Sequence, residues 1–140
     1  MAQVIIYEGP DGNVHVCTPT DEVLASHGIE WIKAKDTPEG SIIVDDSTLP
    51  QGVNQQFFDA WEMDSVGNIT VNIVKAREHQ LNKYNFFALQ VAQKRQLNTL
   101  SGLTNTPDDT AWLAKLTADR AAIAACNTTD ELIAIELPQV

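Results

Sequence analysis

A chain of 140 residues, 44% of them hydrophobic, has room for one domain, or a small domain with a helical appendage, around a real core. That composition excludes whole-chain disorder, and no apolar run approaches the roughly 18–20 residues that a membrane span needs. Two cysteines, Cys17 and Cys126, far apart in sequence, predict free thiols in a reducing compartment and not a disulfide framework.

The net charge of −10 is unevenly placed. Residues 1–64 carry twelve acids and two lysines, whereas residues 65–140 carry seven acids and seven bases. An acidic first half is thus joined to a segment that is locally basic, with Lys75, Arg77, Lys83, Lys94 and Arg95 against Glu78. Nucleic acid is not expected as a partner, because phosphate binding asks for a concentrated basic patch on a basic domain. The start, Met-Ala-Gln-Val-Ile-Ile-Tyr, has neither a basic nor a long apolar stretch, so no signal peptide is expected.

In chain order, residues 3–8 alternate as a strand, Gly9-Pro10-Asp11-Gly12 turns, and Asn13 to Thr18 returns with Val14 and Val16 on one face. Thr18-Pro19-Thr20-Asp21 opens a short helix, with Thr18 as cap, and His27-Gly28 closes it. Ile29 to Lys35 alternates enough to favour a short strand. Ser41 to Asp45 is a third strand, and Ser47 to Asn54, with Pro50 and Gly52, a surface loop. Phe57, Asp59, Trp61 and Met63 are expected on one face of a strand, which turns at Ser65-Val66-Gly67-Asn68 and returns through Ile69 and Val71. That placement makes Trp61 a core anchor.

A long helix then starts near Asn72. Leu81, Tyr84, Ala88 and Val91 step by 3, 4 and 3 and share a face. Phe86-Phe87 widens the apolar stripe beyond what one helix covers, so either the sheet half or another chain is expected over it; for the second case Tyr84, Phe86, Phe87 and Val91 are the expected protein-contact residues. Ser101 to Asn105 breaks the helix and Thr106-Pro107-Asp108-Asp109 starts the next. In it Trp112, Leu116 and Ile123 share a face, and Ala118, Ala121 and Ala122 would allow close approach in an antiparallel pair. Thr128-Thr129-Asp130-Glu131 caps a third short helix running through Leu132, Ile133 and Ile135, with Pro138 beyond it.

Chemistry is thinly represented. His15 and Cys17 project from the same side of a strand, but a zinc site needs about four ligands and the other His and Cys residues lack the usual spacings. Asp45-Asp46 and Asp108-Asp109 fit a turn and a helix start better than acid–base work. Hydrolase, phosphate-loop and dinucleotide motifs are all missing, and Cys126 has no neighbouring base in sequence to activate it. The expectation is a protein that is not an enzyme and uses neither metal nor cofactor.

One stretch carries a resemblance. Phe58-Asp59-Ala60-Trp61-Glu62, then a short turn, Ile69-Thr70-Val71-Asn72 and the helix start Ile73-Val74-Lys75-Ala76-Arg77-Glu78 together resemble small tail-associated proteins of tailed bacteriophages, of the tail-fibre or tail assembly kind. Asp36-Thr37-Pro38-Glu39-Gly40 and the alanine-rich helix leading to Thr128-Thr129-Asp130-Glu131-Leu132 are similar in style. Tyr84-Asn85-Phe86-Phe87 departs from the more basic and polar helix usual there. The resemblance implies a chaperone-like role in tail or tail-fibre assembly, exercised in the host cytoplasm through contacts with a tail or tail-fibre protein or with itself. The alternative it leaves open is a permanent structural subunit of the virion tail.

The reading is an α+β chain. A small antiparallel sheet occupies an acidic region over residues 1–72, and an antiparallel helical hairpin with a short C-terminal helix follows over 73–140.

Overall fold

The computed structural model describes residues 2–139. The architecture is α+β, with an antiparallel sheet region followed by helices. Backbone contacts divide the chain into two compact units, Met1–Asn72 and Ile73–Val140.

In the first unit β1 (Gln3–Glu8) lies between β2 (Val14–Cys17) and β3 (Ile42–Asp45), antiparallel to both. Val4 and Ile6 pack on one side of β1 with Val14 and Trp61, all essentially closed to solvent. Ile5, on the other face, is equally buried, and Ile32 of a nearby helix is buried too. A second hairpin, β4 (Trp61–Met63) with β5 (Ile69–Val71), lays Trp61, Met63, Ile69 and Val71 on the Val4–Ile6–Val14 side. Asp64 organises its turn, accepting from the backbone N–H groups of Val66 and Asn68 at 3.0 and 2.9 Å. The Asn68 N–H bond is the main reason the Asp64 carboxyl sits below its ordinary pKa. Gly67 is required in that turn, since φ is +92° and a Cβ would stand 3.0 Å from the Ile42 side chain.

Trp61 is the core anchor that the pattern predicts: it is 3% exposed and its indole N–H donates to the Asn54 carbonyl at 3.0 Å. The strand leading to it is shorter than expected. Gly52–Ala60 forms 3-10 turns interrupted at Phe57, so Phe57 is buried while Asp59 is exposed. The segment expected as a loop from Ser47 to Asn54 likewise contains 3-10 turns, Asp46–Thr48 among them.

Two helices connect β2 to β3. α1 (Asp21–Ser26) is capped by Thr20, whose hydroxyl accepts from the Val23 N–H, two residues later than the expected cap at Thr18. α2 (Ile29–Asp36) replaces the strand expected over Ile29 to Lys35. Its alternation is outweighed by contacts at helical spacing: Ile32 is buried, Trp31 stacks on His27 at 3.9 Å, and the Lys35 ammonium, four residues on, lies 4.7 Å from the Trp31 ring centre.

The second unit is built on α3 (Ile73–Leu100), α4 (Asp109–Ala125) and α5 (Thr129–Ala134). α3 ends in a Schellman arrangement: the Leu103 N–H reaches the Asn98 carbonyl at 2.8 Å and the Gly102 N–H reaches Thr99 at 3.1 Å, with Gly102 at φ +76°. Asp108 caps α4 through the Ala111 N–H at 2.8 Å, and Thr128 caps α5 through the Glu131 N–H at 3.2 Å. The α3–α4 pair is antiparallel, because Arg77, Tyr84 and Arg95 meet Cys126, Asp119 and Asp109 in descending order. Leu116 and Ile123 are buried and Trp112 half-buried, but Ala118, Ala121 and Ala122 are exposed, so the alanines expected to permit close approach lie on the outer side.

Candidate functional site

α3 has two dissimilar faces. Ala76, Gln80, Tyr84, Ala88, Val91 and Arg95 recur every three or four residues and are buried. Polar groups on this side are used within the fold. The Tyr84 hydroxyl donates to Asp119 Oδ2 at 2.6 Å, and Asp119 also takes the Lys115 ammonium. Burial, reinforced by the Asp119 charge, pushes the Tyr84 phenol well above its ordinary pKa. Burial alone would raise Asp119, but the Lys115 ammonium and the Tyr84 hydroxyl hold its carboxyl below the usual range.

The arginines of α3 and α4 are also engaged. Arg77 Nε donates to the Cys126 carbonyl at 2.6 Å, and Arg120 Nε to Asn85 Oδ1 at 2.9 Å. Arg95, 8% exposed, donates through Nη2 to the Pro107 carbonyl at 2.6 Å and to Asp109 Oδ1 at 2.8 Å, while its guanidinium carbon lies 4.9 Å from the Trp112 ring centre. It thereby ties the entry to α4 onto α3. Sequence reading counts Arg95 only as one of the helix's bases, and no local signal marks it as a clamp.

Of the four expected contact residues, two belong to the interior. Tyr84 is fully buried and Val91 is 8% exposed, so neither offers a surface to another chain in this conformation. The arithmetic that puts them on one face with Leu81 and Ala88 holds, and that face is the covered one. Phe86 is 59% exposed, and Phe87 is half-buried and meets Phe86 edge to face at 5.7 Å. Phe86 is joined by Leu89, Leu97 and Leu100, all strongly exposed. Their spacing of 3, 8 and 3 keeps them on one stripe, roughly half a turn around the helix from the buried one at about 100° per residue. Leu97 and Leu100 are legible by that spacing but are hidden among the polar residues between them.

Near the same end, a groove of about 380 Å3 opens between α3 and α4, with Leu100, Trp112 and Leu113 in its walls and Arg95 beside them. A second apolar step, Leu103, lies just past the helix end and is also exposed.

The acid pairs have local duties. Asp45 accepts from the Ser47 N–H at 2.9 Å, Asp46 from the Ala2 N–H at 3.3 Å, Asp108 caps α4 and Asp109 pairs with Arg95. His15 stacks on Tyr7 at 5.2 Å and bonds Asp11 at 3.2 Å, while Cys17 is half-buried. Among the described residues, no three His, Cys, Asp or Glu side chains gather into a possible metal site, and no helix is long and apolar enough to cross a membrane. Burial, with Glu131 nearby, pushes the Cys126 thiol pKa up, and its Sγ donates to the Ala122 carbonyl at 3.1 Å.

No family model matches this chain, and no curated protein or solved structure does either.

Proposed function

We propose that this chain is a non-enzymatic, tail-associated bacteriophage protein that helps a tail or tail-fibre protein assemble in the host cytoplasm, binding it through the outward face of α3. The observation that carries the reading is the exposed row Phe86, Leu89, Leu97 and Leu100 on a helix whose opposite side is already packed. Burying exposed apolar area at about 25 cal/mol per Å2 gives such a row enough driving force to matter in association, although area alone does not set affinity. The phage context comes from the resemblance over residues 57–78. In the fold that stretch has structural work: Trp61 fills the sheet core, the Asn72 N–H reaches the Ala60 carbonyl at 2.8 Å, and the Asn72 side chain bonds Glu62. These contacts give residues 57–78 a part in the fold of this chain, and the proposed partner surface lies outside them.

Co-expression with tail and tail-fibre proteins encoded beside it is the test. Co-purification that is lost in Phe86→Glu is expected, and its absence with every such protein overturns the reading. Immunodetection in purified virions then separates an assembly helper, which is absent from them, from a permanent subunit.

A further inference from the structure

We infer that the outward face of α3 is built to receive an acidic amphipathic helix. This rests on the reading of that face as a protein-contact surface and deepens it by naming the partner's chemistry. From His79 to Leu100 the sequence contains three bases, Lys83, Lys94 and Arg95, and no acid. Arg95 is turned inward onto Pro107 and Asp109. Lys83 and Lys94 are exposed. They are eleven residues apart, which is about three turns, so they stand on one flank of the apolar stripe about 16 Å from each other. The stripe from Phe86 to Leu100 extends about 21 Å at about 1.5 Å per residue, roughly four turns of a facing helix.

The occupant's secondary structure follows from the backbone. The interior of α3 satisfies its own N–H and C=O groups, so an extended segment laid along it would gain no main-chain hydrogen bonds and would leave its own unpaired. A helix brings its backbone already paired and offers apolar side chains at matching three- and four-residue steps. Exposed Gln93, in the middle of the row, gives one polar contact that fixes register.

Charge selects among helices. If α3 of a second copy were the partner, parallel packing would set Lys83 and Lys94 beside themselves, and antiparallel packing would set each beside the other. Neither arrangement supplies an acid from that stretch. A helix with apolar residues on one face and Glu or Asp along one flank answers both lysines.

The test uses the full chain and three labelled helical peptides, each about five turns long, that share one leucine-rich face and carry Glu, Gln or Lys on the flank. Fluorescence anisotropy should show the Glu peptide binding at least about tenfold more tightly than the Lys peptide, with the difference shrinking as salt rises. The Lys83→Glu, Lys94→Glu double variant should reverse the preference. Phe86→Glu combined with Leu97→Glu should weaken the Glu peptide at least about tenfold while circular dichroism stays unchanged. Equal binding of all three peptides, or binding of none, overturns the inference. So does a dimer by light scattering that the Phe86→Glu change dissociates, or stronger binding to phosphatidylglycerol vesicles than to any peptide. The tail reading fails separately: a chain that binds the Glu peptide but no tail protein refutes only that reading. Tail-protein binding lost in Phe86→Glu but unchanged in the lysine double variant refutes only the acidic-helix inference.

Discussion

The two units handle apolar surface in opposite ways. In the sheet unit Ile5, Ile6, Val14 and Phe57 are fully buried, and twelve acids against two lysines dress the outside of residues 1–64. The helical unit has balanced charge and leaves Phe86, Leu89, Leu97, Leu100, Leu103 and Leu113 open to solvent. Scattered apolar residues are ordinary on a surface, but a row along one helix is a different matter. The sheet unit exposes Trp31, Phe58 and Val66 at separate positions and so reads as the more nearly closed, while the helical unit, on the function proposed above, is unfinished without a partner. Substitutions can break that contrast from either side.

The largest effect should come from the closed unit. Trp61→Ala empties a fully packed indole site and removes the indole bond to the Asn54 carbonyl, and should cost about 3–5 kcal/mol in denaturant melting. A loss below roughly 1 kcal/mol would mean that the sheet core does not depend on the hairpin laid over it.

How far these sites can be read from sequence differs in the same way. The strands of the three-stranded sheet, the Asp64–Asn68 turn and Trp61 as anchor are local patterns and appear where alternation and turn chemistry put them, but the strand expected from Phe57 begins only at Trp61, after the 3-10 turns of Gly52–Ala60. α2 escapes such a reading because Ile29, Trp31 and Lys33 fit alternation, while the deciding contacts, Trp31 with His27 and Lys35, are visible only at helical spacing. On α3 the period is legible but its sense is not. Sequence cannot say which stripe of a long helix is covered, because that depends on what α4 places against it, such as Asp119 against Tyr84. Phe86 stands exposed with its leucine neighbours, whereas Tyr84 and Val91 go to the interior.

The next effect should come from Arg95. Arg95→Met keeps much of the volume but removes the bonds to Pro107 and Asp109, and should cost about 1–3 kcal/mol. Hydrogen exchange should quicken most in the first turns of α4. Uniform quickening across the unit instead would show that Arg95 supports the whole hairpin and not its entry.

Tyr84→Phe should cost less, about 1–2 kcal/mol, for one bond to a charged acceptor. Its pH dependence identifies the cause. The Tyr84 phenol is raised in the folded chain, so its contribution is complete below its ordinary pKa near 10 and declines as pH rises beyond that. The Asp119 carboxyl is lowered, so its contribution is complete above the ordinary carboxylate range and is lost as pH falls through the lowered value. Replacing the tyrosine should flatten the alkaline decline and leave part of the acid one, because Lys115 still holds Asp119. Identical alkaline profiles for the two proteins would remove Tyr84 from the account.

The smallest effect on stability should accompany the largest effect on binding. Phe86 is 59% exposed and its ring meets Phe87, so Phe86→Glu should change the melting free energy by less than about 1 kcal/mol. Glutamate is also tolerated in a helix better than phenylalanine, which offsets part of the lost ring contact. The same change puts a charge at one end of the Phe86–Leu100 row, where a partner would have to desolvate it. A folded protein of unaltered stability that no longer binds its partner would set the open face of α3 apart from the closed sheet core. If Phe86→Glu instead destabilises the chain as strongly as Trp61→Ala, then α3 is covered on both faces, and the contrast between a closed unit and an unfinished one disappears.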